Sequence, residues 1–147
     1  LDRIGFRKKQ YSTLCYMSQA GGNLNLKTKQ RFLDYCLENK IQFYVMYGQT
    51  EATARISFVP PDKLHKKITS IGKPILNGKF SIDNESSELL YEGPNIFGGY
   101  VEKTLDLVTW DEIKQLSTGD LGKVDDDGYY FIIRNFSLFQ YAKRKFS

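Results

Sequence analysis

Histidine is nearly absent: His65 is the only one in 147 residues. A Ser-His-Asp relay would have to run through it, yet it sits in the Lys-rich stretch from Lys63 to Lys67 with no nucleophile turn beside it. We read it as a surface histidine. Cysteine is scarce too. Cys15 and Cys36 stand far apart in apolar periodic segments, with no Cys-x-x-Cys spacing and no Cys/His cluster. That pattern argues against structural zinc and predicts two buried thiols. The longest apolar runs fall far short of the ~20 residues that cross a bilayer, so no transmembrane segment is expected. The start, Leu1-Asp2-Arg3, carries neither a signal-peptide pattern nor an initiator Met, and we expect a cytoplasmic protein with residues upstream of Leu1.

Charge of one sign is not in large excess either: 21 Lys/Arg oppose 17 Asp/Glu, a net of +4. The hydrophobic fraction of 41% and aromatic fraction of 14% can fill a core, which excludes a disordered tail, a collagen-like chain and a disulfide scaffold. The charge is unevenly spread. Residues 1–31 hold seven Lys/Arg against one acid, and residues 83–127 hold twelve acids against three Lys. Phosphate contacts from Lys/Arg drive nucleic-acid binding, but the basic residues here are not interleaved with a stacking platform and no nucleic-acid signature appears. A solvated face, or a surface that abuts chain outside this sequence, is the better reading, and no nucleic-acid partner is expected.

Along the chain, Thr13–Gln19 reads as a short buried strand ending at Ala20-Gly21-Gly22. Leu26 to Asn39 places Leu26, Phe32, Leu33, Cys36 and Leu37 at helical spacing, with Asn23 or Asn25 available as N-cap. Ile41 to Tyr47 alternates Ile, Phe, Val and Tyr on one face, the pattern of a strand. Strand, helix and strand with short connections predict a parallel βαβ unit. Both strands of such a unit end at one sheet edge, where open α/β sheets bind ligands. From about Phe80 the pattern changes to short strands at 79–83, 88–92, 121–125 and 129–133, with a hairpin signal at Asp126-Asp127-Gly128. A short helix is expected around Trp110 within 104–115. The fold class is thus α/β: a parallel βαβ portion, then a small antiparallel β subdomain, joined near Pro60-Pro61 to Pro74.

Two segments carry chemistry. Tyr47-Gly48-Gln49-Thr50-Glu51 leaves a predicted strand directly. Tyr47 offers a ring for a purine, Gly48 a sharp turn, Thr50 a hydroxyl for a phosphate oxygen, and Glu51 a hard carboxylate suited to Mg²⁺. The same residues would also serve as a polar helix start, with Thr50 as cap and Glu51 as first-turn acid. Ser117-Thr118-Gly119-Asp120-Leu121-Gly122 reads as a polar turn whose Asp could bind a ribose diol or simply make an Asx turn. Gly122-Lys123 is not a phosphate loop, because Ser117 stands where that motif needs Gly and a strand follows where a helix should begin.

Taken in order, Gln19-Ala20-Gly21-Gly22, Tyr47 to Ala52, Ile71-Gly72-Lys73-Pro74-Ile75, Gly93 to Tyr100, Ser117 to Gly122 and Asp127-Gly128-Tyr129 resemble the adenylate-forming family. That family comprises acyl-CoA synthetases, peptide-synthetase adenylation domains and luciferases. The resemblance covers roughly residues 11–133. It implies that Gly21 and Gly22 line the adenine and acyl pocket, that Tyr47, Gly48 and Gln49 belong to the adenine-binding loop, and that Tyr47 stacks on adenine. It implies further that Thr50 touches phosphate, Glu51 holds Mg²⁺, Asp120 binds the ribose hydroxyls and Arg134 is the ribose-contacting Arg displaced by one position. ATP or AMP and Mg²⁺ are the implied cofactors. A carboxylic acid and a thiol acceptor, coenzyme A or a carrier phosphopantetheine, are the implied partners. Thr50 and Glu51 are the implied catalytic pair.

The resemblance also has gaps. No Ser/Thr/Gly-rich phosphate loop precedes Gln19, no Gly precedes Arg134, and the tail 135–147 is unlike the family. We therefore expect a partial segment: 1–70 the parallel α/β portion of the AMP-binding domain, 71–134 the antiparallel β subdomain, 135–147 a divergent tail. Such a segment would be an incomplete ligase or a non-catalytic remnant with weak nucleotide binding, and would be open to association through an exposed sheet edge.

Overall fold

The computed structural model describes residues 2–101, 103–107 and 113–135. The first sheet is built from β1 (Tyr16–Gln19), β2 (Gln42–Tyr47), β3 (Ser57–Val59) and β4 (Lys73–Pro74), in that spatial order. β1 and β2 run parallel, joined through α1 (Leu26–Glu38). β3 pairs antiparallel with β2, and β4 antiparallel with β3. The sheet is therefore mixed rather than parallel throughout. The sequence pattern missed β3 because three residues ahead of Pro60-Pro61 carry no usable alternation. Those prolines instead open α2 (Pro61–Leu64), with Pro61 at the first helical position, where its missing N–H costs nothing.

The α1 helix begins as the sequence implies: the Asn25 side chain accepts from the Thr28 amide at 2.9 Å. It ends where Asn39 caps the Tyr35 carbonyl with its side chain at 2.8 Å and Lys40 turns left-handed at φ 55°. Its buried stripe is Phe32, Leu33, Tyr35 and Cys36, packed on Ile41, Phe43 and Val45. Leu26 and Leu37, expected on that stripe, are exposed; Tyr35 is buried instead, its hydroxyl donating to the Lys9 carbonyl at 3.1 Å. Burial pushes the Cys36 thiol up to about 11, so it is an inert core group. Cys15 departs from expectation, being exposed. So does β1, whose Tyr16 is 67% exposed because the strand lies at the sheet edge.

The second sheet is antiparallel, in order β5 (Lys79–Ile82), β6 (Glu88–Glu92), β7 (Leu116–Val124) and β8 (Tyr130–Asn135). Its core joins Phe80, Leu89, Tyr91 and Leu116 to Ala52 and Ile56 from the first half of the chain. β7 runs nine residues and absorbs Ser117–Gly122, which the sequence suggested was a turn. Thr104–Leu107 forms a single 3-10 turn. The helix expected around Trp110, and the tail after Asn135, fall outside the described residues.

The two sheets meet at Ser70-Ile71-Gly72. The Ile71 amide donates to the Tyr130 carbonyl at 2.9 Å, and the Tyr130 amide donates to the Gly72 carbonyl at 3.0 Å. The Ser70 hydroxyl also donates to the Tyr130 carbonyl, at 2.7 Å. Gly72 has φ +89°, and a Cβ there would lie 2.6 Å from the Val59 nitrogen and closer still to the Phe58 carbonyl. No other residue fits that joint. Farther along the seam, the Lys67 ammonium bridges Asp125 and Asp127, each at 2.6 Å.

Candidate functional site

Because β1 and β2 are parallel, with Gln19 beside Val45, the chain leaves both strands at one sheet edge. Ala20-Gly21-Gly22 and Gly48-Gln49-Thr50-Glu51 are the two departing loops. The Gln19 side-chain amide donates to the Gly22 carbonyl and holds the first loop turned. Gly21 takes φ +78°, and a Cβ on either Gly21 or Gly22 would meet nothing within 4 Å. This loop therefore leaves open space above the sheet edge.

Gly48 serves a different need. A Cβ there would meet the Ala54 carbonyl carbon at 2.7 Å and the Arg55 Cα at 2.8 Å. The chain's own backbone fills that space. Thr50–Ala52 form one 3-10 turn with Gln49 at the N-cap position, and the Ala52 and Ala54 amides donate to the Gln49 carbonyl. Neither Gln49 nor Thr50 provides a side-chain cap, so the Thr50 hydroxyl is not consumed in starting a helix. Thr50 is exposed. Asn95 clamps the turn from outside: its side-chain amide donates to the Ala52 carbonyl at 2.7 Å and to the Arg55 carbonyl at 3.2 Å, while its oxygen accepts from the Tyr91 hydroxyl at 2.7 Å.

Glu51 is buried, at 8% exposure. The Phe97 amide donates to its backbone carbonyl at 2.8 Å, and the Tyr100 hydroxyl donates to its carboxylate. The segment Gly93–Tyr100 therefore folds over the acid. Asn95 and Tyr100 were not among the residues singled out for chemistry. Their signal was in the sequence, in Gly93-Pro94-Asn95 and Gly98-Gly99-Tyr100, but it reads as turn punctuation.

The second sheet reaches the same loops through Asp120. The Tyr47 hydroxyl donates to the Asp120 carboxylate at 2.7 Å, across 73 residues of chain. Burial, and then the negative charge of Asp120, push the Tyr47 phenol well above its ordinary value, so it stays a donor. The Tyr47 ring meets Phe80 edge-on at 6.5 Å. Asp120 is only 7% exposed and is no Asx turn: it lies within β7, opposite Asn135. Arg134 is one rung along, opposite Leu121, and is exposed. Tyr47, Glu51 and Asp120 thus converge at the edge from which the Gly21-Gly22 loop also leaves.

Among the described residues, no group of three or more His, Cys, Asp or Glu is arranged to hold a metal ion. Glu51 is a single carboxylate ligand at most. That suits Mg²⁺, which ordinarily takes one or two carboxylates and fills the rest with phosphate oxygens and water. A hollow of about 850 Å³ lies elsewhere, lined by Tyr11, Cys15, Asn39 and Gln42 at the starts of β1 and β2. Its lining holds no carboxylate, and the motif loops instead frame an open crevice. No helix among the described residues is long and apolar enough to cross a membrane.

The fold and this convergence define a class: the family model for AMP-binding enzymes matches residues 3–101, and the chain belongs to that family. Two relatives are 2-succinylbenzoate–CoA ligases. That of Bacillus cereus is 28% identical over 143 residues, covering 90% of this chain and 28% of the relative. That of Bacillus cytotoxicus is 29% identical over the same span. The chain thus spans 28% of the length of these relatives. Among solved structures, o-succinylbenzoate CoA synthetase from Bacillus subtilis in complex with AMP superposes with TM-score 0.71 at 22% identity, over 91% of this chain and 29% of that one. VinN superposes with TM-score 0.69 at 26% identity, over 88% of this chain and 35% of that one.

Proposed function

We propose that this chain forms the nucleotide-cradling segment of an ATP-dependent acid–thiol ligase. The reaction of the whole enzyme is a carboxylic acid plus ATP giving an acyl-adenylate and pyrophosphate, then transfer of the acyl group to a thiol. Coenzyme A is the favoured acceptor, since both relatives are CoA ligases; a carrier phosphopantetheine is the other. The single observation that carries the reading is the Tyr47–Asp120 hydrogen bond at 2.7 Å. It sets a ring suited to adenine beside an acid suited to the ribose diol, as the base and sugar of one nucleotide require.

In this reading Gly21 and Gly22 leave room for the base and the acyl group. Tyr47 stacks on adenine on the floor that Gly48 and Gln49 form, and Asp120 accepts from the ribose hydroxyls; Arg134, paired with Leu121 one rung along, lies on the other face of the sheet from Asp120 and takes no ribose role. The exposed Thr50 hydroxyl donates to a phosphate oxygen. Glu51 supplies the protein carboxylate for Mg²⁺, which Tyr100 steadies while the acid is free of metal. Held there, Mg²⁺ would supply charge neutralisation to the phosphates; the nucleophile is the carboxylate of the acid substrate, and pyrophosphate is the leaving group. The chain's own work is orientation and charge placement rather than covalent help. The segment divides at the seam, 1–70 as the α/β portion and 71–134 as the β portion, with β4 crossing between them and 135–147 as a separate tail. A cytoplasmic location suits a supply of ATP and coenzyme A.

The test is titration of the chain with AMP and with ATP-Mg²⁺, with Tyr47→Ala and Asp120→Ala as partners. Weak saturable binding is expected, weakened about tenfold or more by either change, the loss of one good charged hydrogen bond or a stacked base. Equal affinity in the variants would refute the assignment.

A further inference from the structure

The Asp120 carboxylate is aimed by a bulge in β7, and one residue on the neighbouring strand holds that bulge. In the β6–β7 ladder Glu88 lies opposite Leu121 and Leu90 opposite Ser117. Leu89 alone therefore faces Thr118, Gly119 and Asp120, so β7 carries two extra residues. A bulge frees backbone groups from the ladder, and buried ones must find partners. Here the Gly119 amide donates to the Glu88 carboxylate at 2.8 Å, and the same carboxylate oxygen accepts from the Ser117 hydroxyl. The Leu89 carbonyl, left without a strand partner, accepts from the Thr118 hydroxyl at 2.7 Å, and the Asp120 amide donates to that hydroxyl at 3.2 Å. Gly119 itself sits at φ +76°.

We infer that Glu88 is a positioning residue for Asp120. One anionic oxygen gathers two donors from opposite ends of the Ser117–Gly119 loop, and so fixes the left-handed Gly119 that turns Asp120 toward Tyr47. An acceptor that is missing at 88, or too short to reach both donors, would let the bulge relax into a regular ladder. Because side chains alternate across a strand, a register slip by one residue would carry Asp120 to the other face. The consequence for ligand rests on reading Asp120 as the ribose acid; the aiming of Asp120 does not.

The experiment compares the full chain with Glu88→Ala, Glu88→Asp and Glu88→Gln in two measurements. The first is amide hydrogen exchange at Gly119 by NMR, with Val45 as a reporter of the intact first sheet. The Gly119 amide is expected to exchange about tenfold faster or more in Glu88→Ala, the loss of one charge-assisted bond. In Glu88→Asp, one methylene short of both donors, it exchanges faster as well. Glu88→Gln keeps an oxygen acceptor at full length and retains most of the protection. The second measurement is the ratio of affinities for AMP and 2′,3′-dideoxy-AMP. The wild-type preference for AMP should vanish in Glu88→Ala and persist in Glu88→Gln. A general loss of packing would weaken both ligands alike and leave the ratio unmoved.

Unchanged Gly119 protection in both Glu88→Ala and Glu88→Asp would overturn the inference. So would an intact AMP preference in a folded Glu88→Ala. If Glu88→Ala does not fold, Glu88→Asp decides on the same two readouts. If the wild type itself shows no preference for AMP, the ribose assignment of Asp120 fails, and the Gly119 exchange alone judges the positioning.

Discussion

Replacing Gly72 with Ala should be strongly destabilising, because an added Cβ there meets backbone more closely than one at Gly48 does. Gly72 sits at φ +89° where the two sheets join, and its Cβ would overlap the Phe58 carbonyl and come within 2.6 Å of the Val59 nitrogen. Left-handed backbone alone costs an alanine about 1 kcal/mol. Ordinary contact begins near 3.4 Å, so β3 and the Gly72 peptide must also part by roughly 1.5 Å at the Phe58 carbonyl. That movement strains two bonds at the joint: the Tyr130 amide to the Gly72 carbonyl at 3.0 Å, and the Gly72 amide to the Ser70 hydroxyl at 2.8 Å. At about 1–1.5 kcal/mol each, their loss brings the total to roughly 3–4 kcal/mol. Against a native margin of about 5–15 kcal/mol, that is roughly a fifth to four-fifths of the whole stability. For a chain of this length the melting temperature should fall by roughly 6–16 °C. Gly21→Ala is the control, because it shares the left-handed backbone at φ +78° but meets nothing within 4 Å. It should lose only about 1 kcal/mol. Urea titrations followed by near-ultraviolet circular dichroism give both numbers. If Gly72→Ala loses no more than Gly21→Ala, the overlap at the joint is not what holds the sheets in place.

Gly22→Ala should leave stability within about 0.5 kcal/mol, since its Cβ meets nothing, yet weaken AMP binding by filling the crevice; thermal melts and titration read the two effects separately. Tyr47→Phe removes the donor at 2.7 Å from the buried Asp120 and should destabilise the chain by about 1–3 kcal/mol in urea, a loss that Tyr44→Phe, whose hydroxyl bonds an exposed Gln42, should not match. The Lys67 ammonium bond holds the Asp125 carboxyl below its ordinary 3.8, so the stability it gives is present above 3.8 and drains away as pH falls through the lowered value. The same bond, with that to Asp127, raises Lys67 above 10.5, so the alkaline loss comes as pH rises through the raised value. Melts across pH should show both limbs in the wild type and flatter ones in Lys67→Met; identical limbs would place the effect elsewhere.

Local pattern made part of this legible and tertiary context hid the rest. Asn25 as cap, the buried Phe32–Leu33–Cys36 stripe and the alternation of Ile41, Phe43 and Val45 are decided within a few residues, and the structure keeps them. Leu26 and Leu37 share the helix yet stay exposed, because what covers a helix flank is set by distant chain. Ser117–Gly122 misleads for a related reason. Gly119 and Asp120 have turn chemistry, and the φ of Gly119 is turn-like, but Glu88 and Leu89 on the neighbouring strand convert the turn into a bulge inside β7. Gly48 has a turn signature too, and only the fold shows that its missing Cβ makes way for Ala54 rather than for a ligand.

The residues proposed for the nucleotide site share one property that no local pattern could reveal. Tyr47 is bonded to Asp120, Glu51 to Tyr100, and the Ala52 carbonyl to Asn95, so each anchor of the first sheet's edge is held by the later half of the chain. The sequence separations are 73, 49 and 43 residues. Contacts so distant form only after loop closure has been paid for, and they are lost together when the sheets part. The seam at Ile71-Gly72 and Tyr130 thus controls the crevice without touching it. A variant that loosens the seam should abolish the Tyr47–Asp120 pair while leaving the α1–β2 core of Leu33, Cys36 and Val45 protected from exchange. The candidate site is therefore a product of sheet docking rather than of either sheet alone.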